Sequence, residues 1–166
     1  MTSIYLIDQN YLDKYMPSVK GVYYTNYHPN HADHFKGTDI YGLSSLTEQN
    51  RKYRLNTQSL AGPTITALLH NEPVAIFGCG ILWSGVGEVW SIFHETARRY
   101  PIAMTKGALI FFDICEILFN LHRIQITVVS KDKRAVAWAN TLGFEAEGLM
   151  KNYSVTKEDT YIMRRK

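Results

Sequence analysis

Cysteine is scarce in this sequence, and it shows none of the spacings that cysteine needs to build a structural site. The 166 residues include two cysteines, Cys79 and Cys115, and each lies within an apolar run. Two such thiols do not make a disulfide framework, and no CxxC or Cys/His spacing indicates zinc. We therefore expect two buried, reduced thiols in a cytoplasmic protein.

Long apolar runs are absent as well. The longest, residues 108–121, is interrupted by Asp113 and Glu116 and is shorter than the roughly 20 residues that span a bilayer. Near the amino terminus, Asp8 and Asp13 stand where a signal peptide would have a basic start and an apolar segment. The sequence therefore predicts a soluble protein without a signal peptide or a membrane partner.

Charge of one sign is not concentrated anywhere along the chain. The formal net charge is +3 and the sequence pI is about 8.8. Lysine and arginine are scattered, apart from Arg98-Arg99 and residues 164–166. Because nucleic-acid-binding proteins usually gather such charge on one face, no nucleic-acid partner is expected. A small anionic ligand suits this charge balance.

The length and the balance of apolar and charged residues are those of one globular domain spanning residues 1–166. Apolar residues make up 46% of the chain and charged residues 20%. Residues 1–60 are rich in Tyr, His and Asn, and they predict two or three short helices with loops. One helix is expected before Pro17 and another over residues 39–52.

The periodicity becomes clear after residue 63. It predicts a hairpin over residues 64–82 that turns at Asn71-Glu72-Pro73. A strand over 88–94, a helix over 104–121 and a strand over 124–130 are expected to follow. The last predicted elements are a helix that runs from Asp132 to the C′ glycine Gly143 and two closing strands over 144–150 and 159–165. The fold class is mixed α/β. A central, mostly antiparallel twisted sheet is expected, with helices on both faces and one right-handed parallel crossover.

This order of elements, with its sequence signature, resembles the GNAT family of acetyl-CoA-dependent N-acetyltransferases. Asp132-x-x-Ala135 followed by Gly143-Phe144 is similar to the family's N-x-x-A and Gly-Phe pattern. The segment GFEAEG resembles the ribosomal-protein N-terminal acetyltransferase branch. The stretches EPVAIFGCGIL, GEVWSIF and ARRYPIA are closest to phage and prophage GNAT-like proteins. The resemblance covers about residues 35–165 and implies an acyl-CoA-binding core over residues 64–165.

The resemblance implies acetyl-CoA as co-substrate, with its pyrophosphate held on a loop before the long helix. The implied contacts are Arg98, Arg99, Tyr100, Ile102, Ala103 and Met104, together with Asp132 and Ala135. Pro101 replaces the first glycine of the family loop and removes one N–H donor. The two arginines are expected to compensate in part through charge-assisted contacts.

The resemblance also implies the catalytic groups. The N–H groups of Ile92 and Phe93 are expected to hold the thioester carbonyl, and Glu88 to take the proton from the amine through water. His94 is a second candidate for the base. Ala139 occupies the position of the usual tyrosine acid, so Tyr153 is the candidate substitute.

His28, His31 and His34 recur at a spacing that two metal ligands could use on a helix. Pro29 argues against a helix through His28, and no nearby cysteine or carboxylate pair completes a site. We interpret the three as surface histidines on a loop and expect no metal.

Two functions remain open. The first is an N-acetyltransferase whose acceptor is an amine on a protein N-terminus, a lysine or a small molecule. The second is a phage protein that keeps the fold without catalysis for virion assembly or host-protein interaction; Pro101, Ala139 and the Tyr-rich first third favour it. A homodimer is compatible with either.

Overall fold

Seven strands form a single sheet in the computed structural model, which describes residues 4–35 and 48–166. The strands are β1 (Val22–Asn26), β2 (Thr64–Leu69), β3 (Glu72–Trp83), β4 (Val86–Phe93), β5 (Arg123–Val129), β6 (Phe144–Met150) and β7 (Thr160–Arg165). The helices are α1 (Gln9–Tyr15), α2 (Glu48–Ser59), α3 (Pro101–Leu118) and α4 (Lys133–Thr141), and two 3₁₀ helices span Pro29–Phe35 and Glu95–Arg99. The strand order is β1-β2-β3-β4-β5-β7-β6.

Within the described residues, every neighbouring pair of strands is antiparallel except β4 and β5. Helix α3 connects these two parallel strands, as a crossover requires. The predicted mixed sheet is therefore confirmed, together with the order of elements after residue 63.

Both faces of the sheet carry helices, as the sequence predicted. Phe77 and Val89 belong to a buried cluster that also contains residues of α1, α3 and α4. Ile76 and Ile92, whose side chains point the opposite way, pack in a second cluster with residues of the first 3₁₀ helix and α2.

The first third of the chain departs from expectation, because β1 was not predicted there. The signal was present, since Val-Tyr-Tyr-Thr is rich in residues that favour strands. Helix α1 lies beside this strand, where Gln9 Nε2 donates to the Tyr24 carbonyl at 2.8 Å. The helix expected over residues 39–52 overlaps α2 only from Glu48, and α2 continues to Ser59; residues 36–47 lie outside the described residues.

Two boundaries were also misplaced. The hairpin turns at His70 and Asn71, whose φ angles are 49° and 69°, and Pro73 lies inside β3 beside a bulge where its missing N–H is tolerated. Helix α3 begins at Pro101 and ends at Leu118, three residues earlier than expected at each end. Proline suits the first helical position because the N–H that it lacks would have no helical partner there.

Asp132 caps α4 as predicted. Its carboxylate accepts a hydrogen bond from the Ala135 N–H at 3.0 Å, which explains the spacing of these two residues. Gly143 follows the end of the helix with φ 87°, the left-handed conformation of a C′ glycine.

We expect Asp132→Ala to lower the free energy of unfolding by about 1 kcal/mol, because α4 loses its cap. Asp132→Asn keeps an oxygen acceptor and is the matched control. Urea denaturation monitored by circular dichroism measures both variants, and equal losses in the two would contradict the capping role.

Candidate functional site

Strands β4 and β5 pair at one end only and then separate. Their register joins Val86 to Arg123, Gly87 to Ile124 and Glu88 to Gln125, and the pairing stops there. Beyond this vertex, residues 89–93 of β4 and 126–129 of β5 border an opening in the sheet. We call this opening the β4–β5 cleft.

The backbone of β4 turns alternate N–H groups toward the cleft. The His94 N–H donates to the Val74 carbonyl of β3 at 2.8 Å, and the β3–β4 register is unbroken from Phe93 to Gly87. Alternation along the strand then directs the Ile92 N–H to β3, and those of Ser91 and Phe93 to the cleft. The expected pair of carbonyl-holding donors is therefore reduced to Phe93, and Ser91 joins it as a donor that sequence reasoning missed.

An indole ring bounds the cleft on the face that carries α3 and α4. Trp138 of α4 contacts the ring of Phe93 edge-on, with centroids 5.1 Å apart. Its Nε1–H donates to the Thr105 hydroxyl of α3 at 3.1 Å. One side chain thus links both helices to the end of β4.

The N-terminus of α3 presents unpaired donors. Met104 N–H donates to the Tyr100 carbonyl, the first bond of the helix, so the N–H groups of Ile102 and Ala103 have no helical partner. Pro101 has no N–H to offer, and Tyr100 makes no side-chain cap. These free donors and the helix dipole favour an anion at this position.

The side chains around this helix start fit an anionic ligand in part. Arg98 and Arg99 end the preceding 3₁₀ helix and are both exposed, and no acidic residue lies in the first turn of α3. Met104 is different, because its side chain is 4% exposed and its N–H is already bonded. The geometry therefore does not support the expected contact at Met104.

Glu88 lies at the vertex of the cleft and is held there by a neighbour. Gln125 Nε2 donates to Glu88 Oε1 at 3.0 Å. Phe93 lies five positions after Glu88 on β4, a distance of about 16 Å at the usual rise of a strand. Because the β3–β4 register contains no bulge over this stretch, only water could carry a proton between the two ends.

The other catalytic candidates have different surroundings. His94 Nδ1 lies 3.0 Å from the Thr96 hydroxyl and 3.2 Å from the Thr96 N–H, so this ring nitrogen already has hydrogen-bond partners, which disfavours it as a base. Tyr153 is 54% exposed in the loop between β6 and β7. Because Thr160 pairs with both Val129 and Met150, this loop lies beyond the same end of β5 toward which the cleft opens.

The expectation of three surface histidines on a loop holds in part: His28 and His34 are exposed, whereas His31 is half-buried. His31 and His34 lie on the 3₁₀ helix Pro29–Phe35, and His31 Nδ1 is 2.8 Å from the hydroxyl of buried Thr66. His34 Nδ1 lies 3.2 Å from a Glu72 carboxylate oxygen. Residues 4–35 and 48–166 hold no group of three His, Cys, Asp or Glu side chains suited to a metal ion. The absence of metal stays a prediction.

Burial lowers the pKa of His31 from 6.5 to about 4, and the neighbouring His28 and His34 add to the effect. The unfolded state therefore binds one more proton than the folded state between these pH values. We expect stability to fall as the pH is lowered from 6.5 to 4 and His31→Gln to remove part of that fall. Denaturation at several pH values tests this, with the exposed His122 replaced by Gln as the control; an unchanged pH slope in His31→Gln would contradict it.

A second concavity lies at the β1 side of the sheet. This cavity of about 770 Å³ is lined by the ends of β1 and α2 and by Tyr27 and His31. Tyr27 and His31 are in edge contact, and the Tyr27 hydroxyl donates to Asn56 Oδ1. His31 sits above β2, two strands away from β4, so this cavity is separate from the β4–β5 cleft.

No described helix combines the length and the apolar composition that a bilayer crossing requires. The sequence matches no family model, and no curated protein resembles it significantly.

Solved structures share the fold. One is the acetyltransferase that modifies the N-terminal serine of the 50S ribosomal protein L7/L12 from Salmonella typhimurium, with a TM-score of 0.73, 12% identity, and coverage of 90% of this chain and 97% of that chain. Another is RimL, the ribosomal L7/L12 α-N-protein acetyltransferase, in complex with coenzyme A. Its TM-score is 0.72 at 12% identity, and the match covers 90% of this chain and 96% of that chain. A third is a GNAT-family acetyltransferase from Bacillus anthracis, with a TM-score of 0.68, 14% identity, and coverage of 89% of this chain and 95% of that chain. The chain therefore has the fold of the GNAT acetyltransferases.

Proposed function

We propose that this protein transfers an acetyl group from acetyl-CoA to an amine. The observation that carries the proposal is the cleft between β4 and β5. Along one edge it offers unpaired N–H groups of β4, and α3 follows β4 with two free N–H groups beside Arg98 and Arg99. RimL, which has this fold, is in complex with coenzyme A.

In the proposed mechanism, acetyl-CoA supplies an activated thioester. The Phe93 N–H donates to the carbonyl oxygen as negative charge develops on it, a contribution of about 3–4 kcal/mol for donors of this kind. The amine nitrogen forms a bond to the carbonyl carbon, and the carbon–sulfur bond breaks. Glu88 accepts the proton of the amine through water, and Tyr153 donates one to the departing sulfur.

The pyrophosphate is proposed to lie at the start of α3. The N–H groups of Ile102 and Ala103 donate to it, and Arg98 and Arg99 add charge-assisted contacts. The Asp132 carboxylate already accepts the hydrogen bond from the Ala135 N–H that caps α4. The proposed role of Asp132 and Ala135 at the cofactor site is therefore indirect, because they fix the start of that helix.

The acceptor is proposed to be an amine on a protein, because the Salmonella typhimurium neighbour modifies a protein N-terminal serine. A lysine or a small-molecule amine remains an alternative acceptor for the same chemistry.

Acetyl-CoA is expected to stabilise the fold against heat, by about 2.7 kcal/mol when its concentration is 100 times the dissociation constant. Arg98→Glu should reduce this gain, because it removes a positive charge beside the free N–H groups of α3. Arg54→Glu makes the same change on the exposed surface of α2 and is the matched control. Thermal melts with and without acetyl-CoA measure all three proteins.

A second candidate function is the fold retained without catalysis. Pro101 removes one N–H donor from the start of α3, and Ala139 has no hydroxyl group at the position of the usual acid. No rise in melting temperature at millimolar acetyl-CoA would favour this reading. The comparisons lend no support to a phage origin.

A further inference from the structure

A chain of polar contacts runs from Glu88 across β5 to β6. Gln125 Nε2 donates to Glu88 Oε1 at 3.0 Å, and Arg123 Nε donates to Gln125 Oε1 at 2.9 Å. The guanidinium of Arg123 also donates to both carboxylate oxygens of Glu147, and Arg164 Nε lies 3.4 Å from the same carboxylate.

The chemistry of these groups allows one direction for the chain. A guanidinium only donates hydrogen bonds, and an ionised carboxylate only accepts them. Gln125 therefore turns its oxygen to Arg123 and its NH₂ to Glu88. Gln125 is buried at 9% exposure. A reversed amide would place its NH₂ against the donor of Arg123 and its oxygen against the carboxylate of Glu88, and both hydrogen bonds would be lost.

The far end of the chain keeps Arg123 in place. The hydrogen bond from Arg123 lowers the pKa of Glu147, and the charges of Arg123 and Arg164 add to the effect. Glu147 therefore stays ionised, and the guanidinium remains held between Glu147 and Gln125.

Glu88 is held by one oxygen only. Oε1 accepts from Gln125, whereas Oε2 makes no hydrogen bond to any residue in the described ranges. Glu88 also stands at the last paired position of β4 and β5, where the cleft begins. The contact thus fixes the carboxylate at the vertex and leaves one oxygen for a water molecule or a polar substrate group.

We propose that Gln125, oriented by Arg123, is a positioning residue that holds the Glu88 carboxylate as the proton acceptor of the reaction. This inference rests on the proposed function. It assigns a role to Gln125 and Arg123, two residues of β5.

Two variants of Gln125 test its two hydrogen bonds, the one to Arg123 and the one to Glu88. Gln125→Glu keeps an oxygen for Arg123 but places a carboxylate oxygen against Glu88, and Gln125→Met removes both polar ends at similar volume. We expect kcat to fall about tenfold or more in both, with the KM for acetyl-CoA unchanged. Glu145→Gln, an exposed residue of β6 outside this chain of contacts, should stay within about twofold of wild type, since the Gln125–Glu88 bond and its support by Arg123 are intact.

A spectroscopic measurement tests the contact without activity. The side-chain NH₂ signals of Gln125 in ¹⁵N-labelled protein should move when Glu88 is replaced by Ala and keep their chemical shifts in Glu145→Gln, where the chain of contacts is intact. Unchanged chemical shifts of the Gln125 NH₂ group in Glu88→Ala would overturn the proposed orientation.

Native kcat in both Gln125 variants, with wild-type activity present, would overturn this inference alone. A wild-type protein that transfers no acetyl group would instead contradict the proposed function, and with it the catalytic purpose of the network.

Discussion

Replacing Glu88 with Gln is expected to lower the rate of acetyl transfer by about 10²-fold or more and to leave the affinity for acetyl-CoA nearly intact. The amide oxygen of Gln can still accept from Gln125 Nε2, so the local hydrogen bond survives while the ability to take a proton is lost. The loss should be greatest at low pH, where the amine is protonated. Steady-state rates and calorimetric acetyl-CoA titrations measure the two effects separately.

Glu145→Gln is the matched control for this substitution, because Glu145 is an exposed carboxylate on β6. It should transfer acetyl groups at the native rate. A native rate for Glu88→Gln over about pH 6 to 9 would remove Glu88 from the mechanism and leave solvent as the proton acceptor.

Replacing Phe111 with Ala is expected to lower the free energy of unfolding by about 3–5 kcal/mol. Phe111 is fully buried at 0% exposure, where it packs against Phe77 of the sheet and against Phe112. The substitution leaves a cavity between α3 and the sheet that the surrounding strands cannot fill. Equilibrium denaturation in guanidinium chloride measures the loss.

Ile117→Ala provides the control on the same helix, since Ile117 is 70% exposed. Its effect should stay within about 0.5 kcal/mol. A comparable loss in the two variants would contradict the assignment of the Phe111 face of α3 to the core.

The elements after residue 63 were predictable because their apolar residues repeat with the period of a strand or a helix. β5 was recognisable as a buried strand, and Asp132 and Gly143 marked both ends of α4. β1 was missed because five residues carry little periodicity, and its pairing with β2 is a long-range contact. Propensity alone does not reveal such pairing.

The candidate site was predictable only where local sequence decides the geometry. Arg98 and Arg99 fall beside the start of α3 because a strand and a helix flank them in the sequence. The separation of β4 and β5 depends on register, as does the direction of the Phe93 N–H, and register is set by tertiary packing. Gln125 did carry a signal, because it is a polar residue between Ile124 and Ile126 in a strand that consists mostly of apolar residues.

The central claim is that acetyl-CoA binds along β4 and at the start of α3. A titration of ¹⁵N-labelled protein with acetyl-CoA, followed by amide chemical shifts, tests it most directly. We expect the largest shifts at Phe93, Ile102 and Ala103, whose N–H groups are free to donate. Saturating acetyl-CoA that leaves these three amides in place, or that moves instead the amides around Tyr27 and His31, would contradict the account.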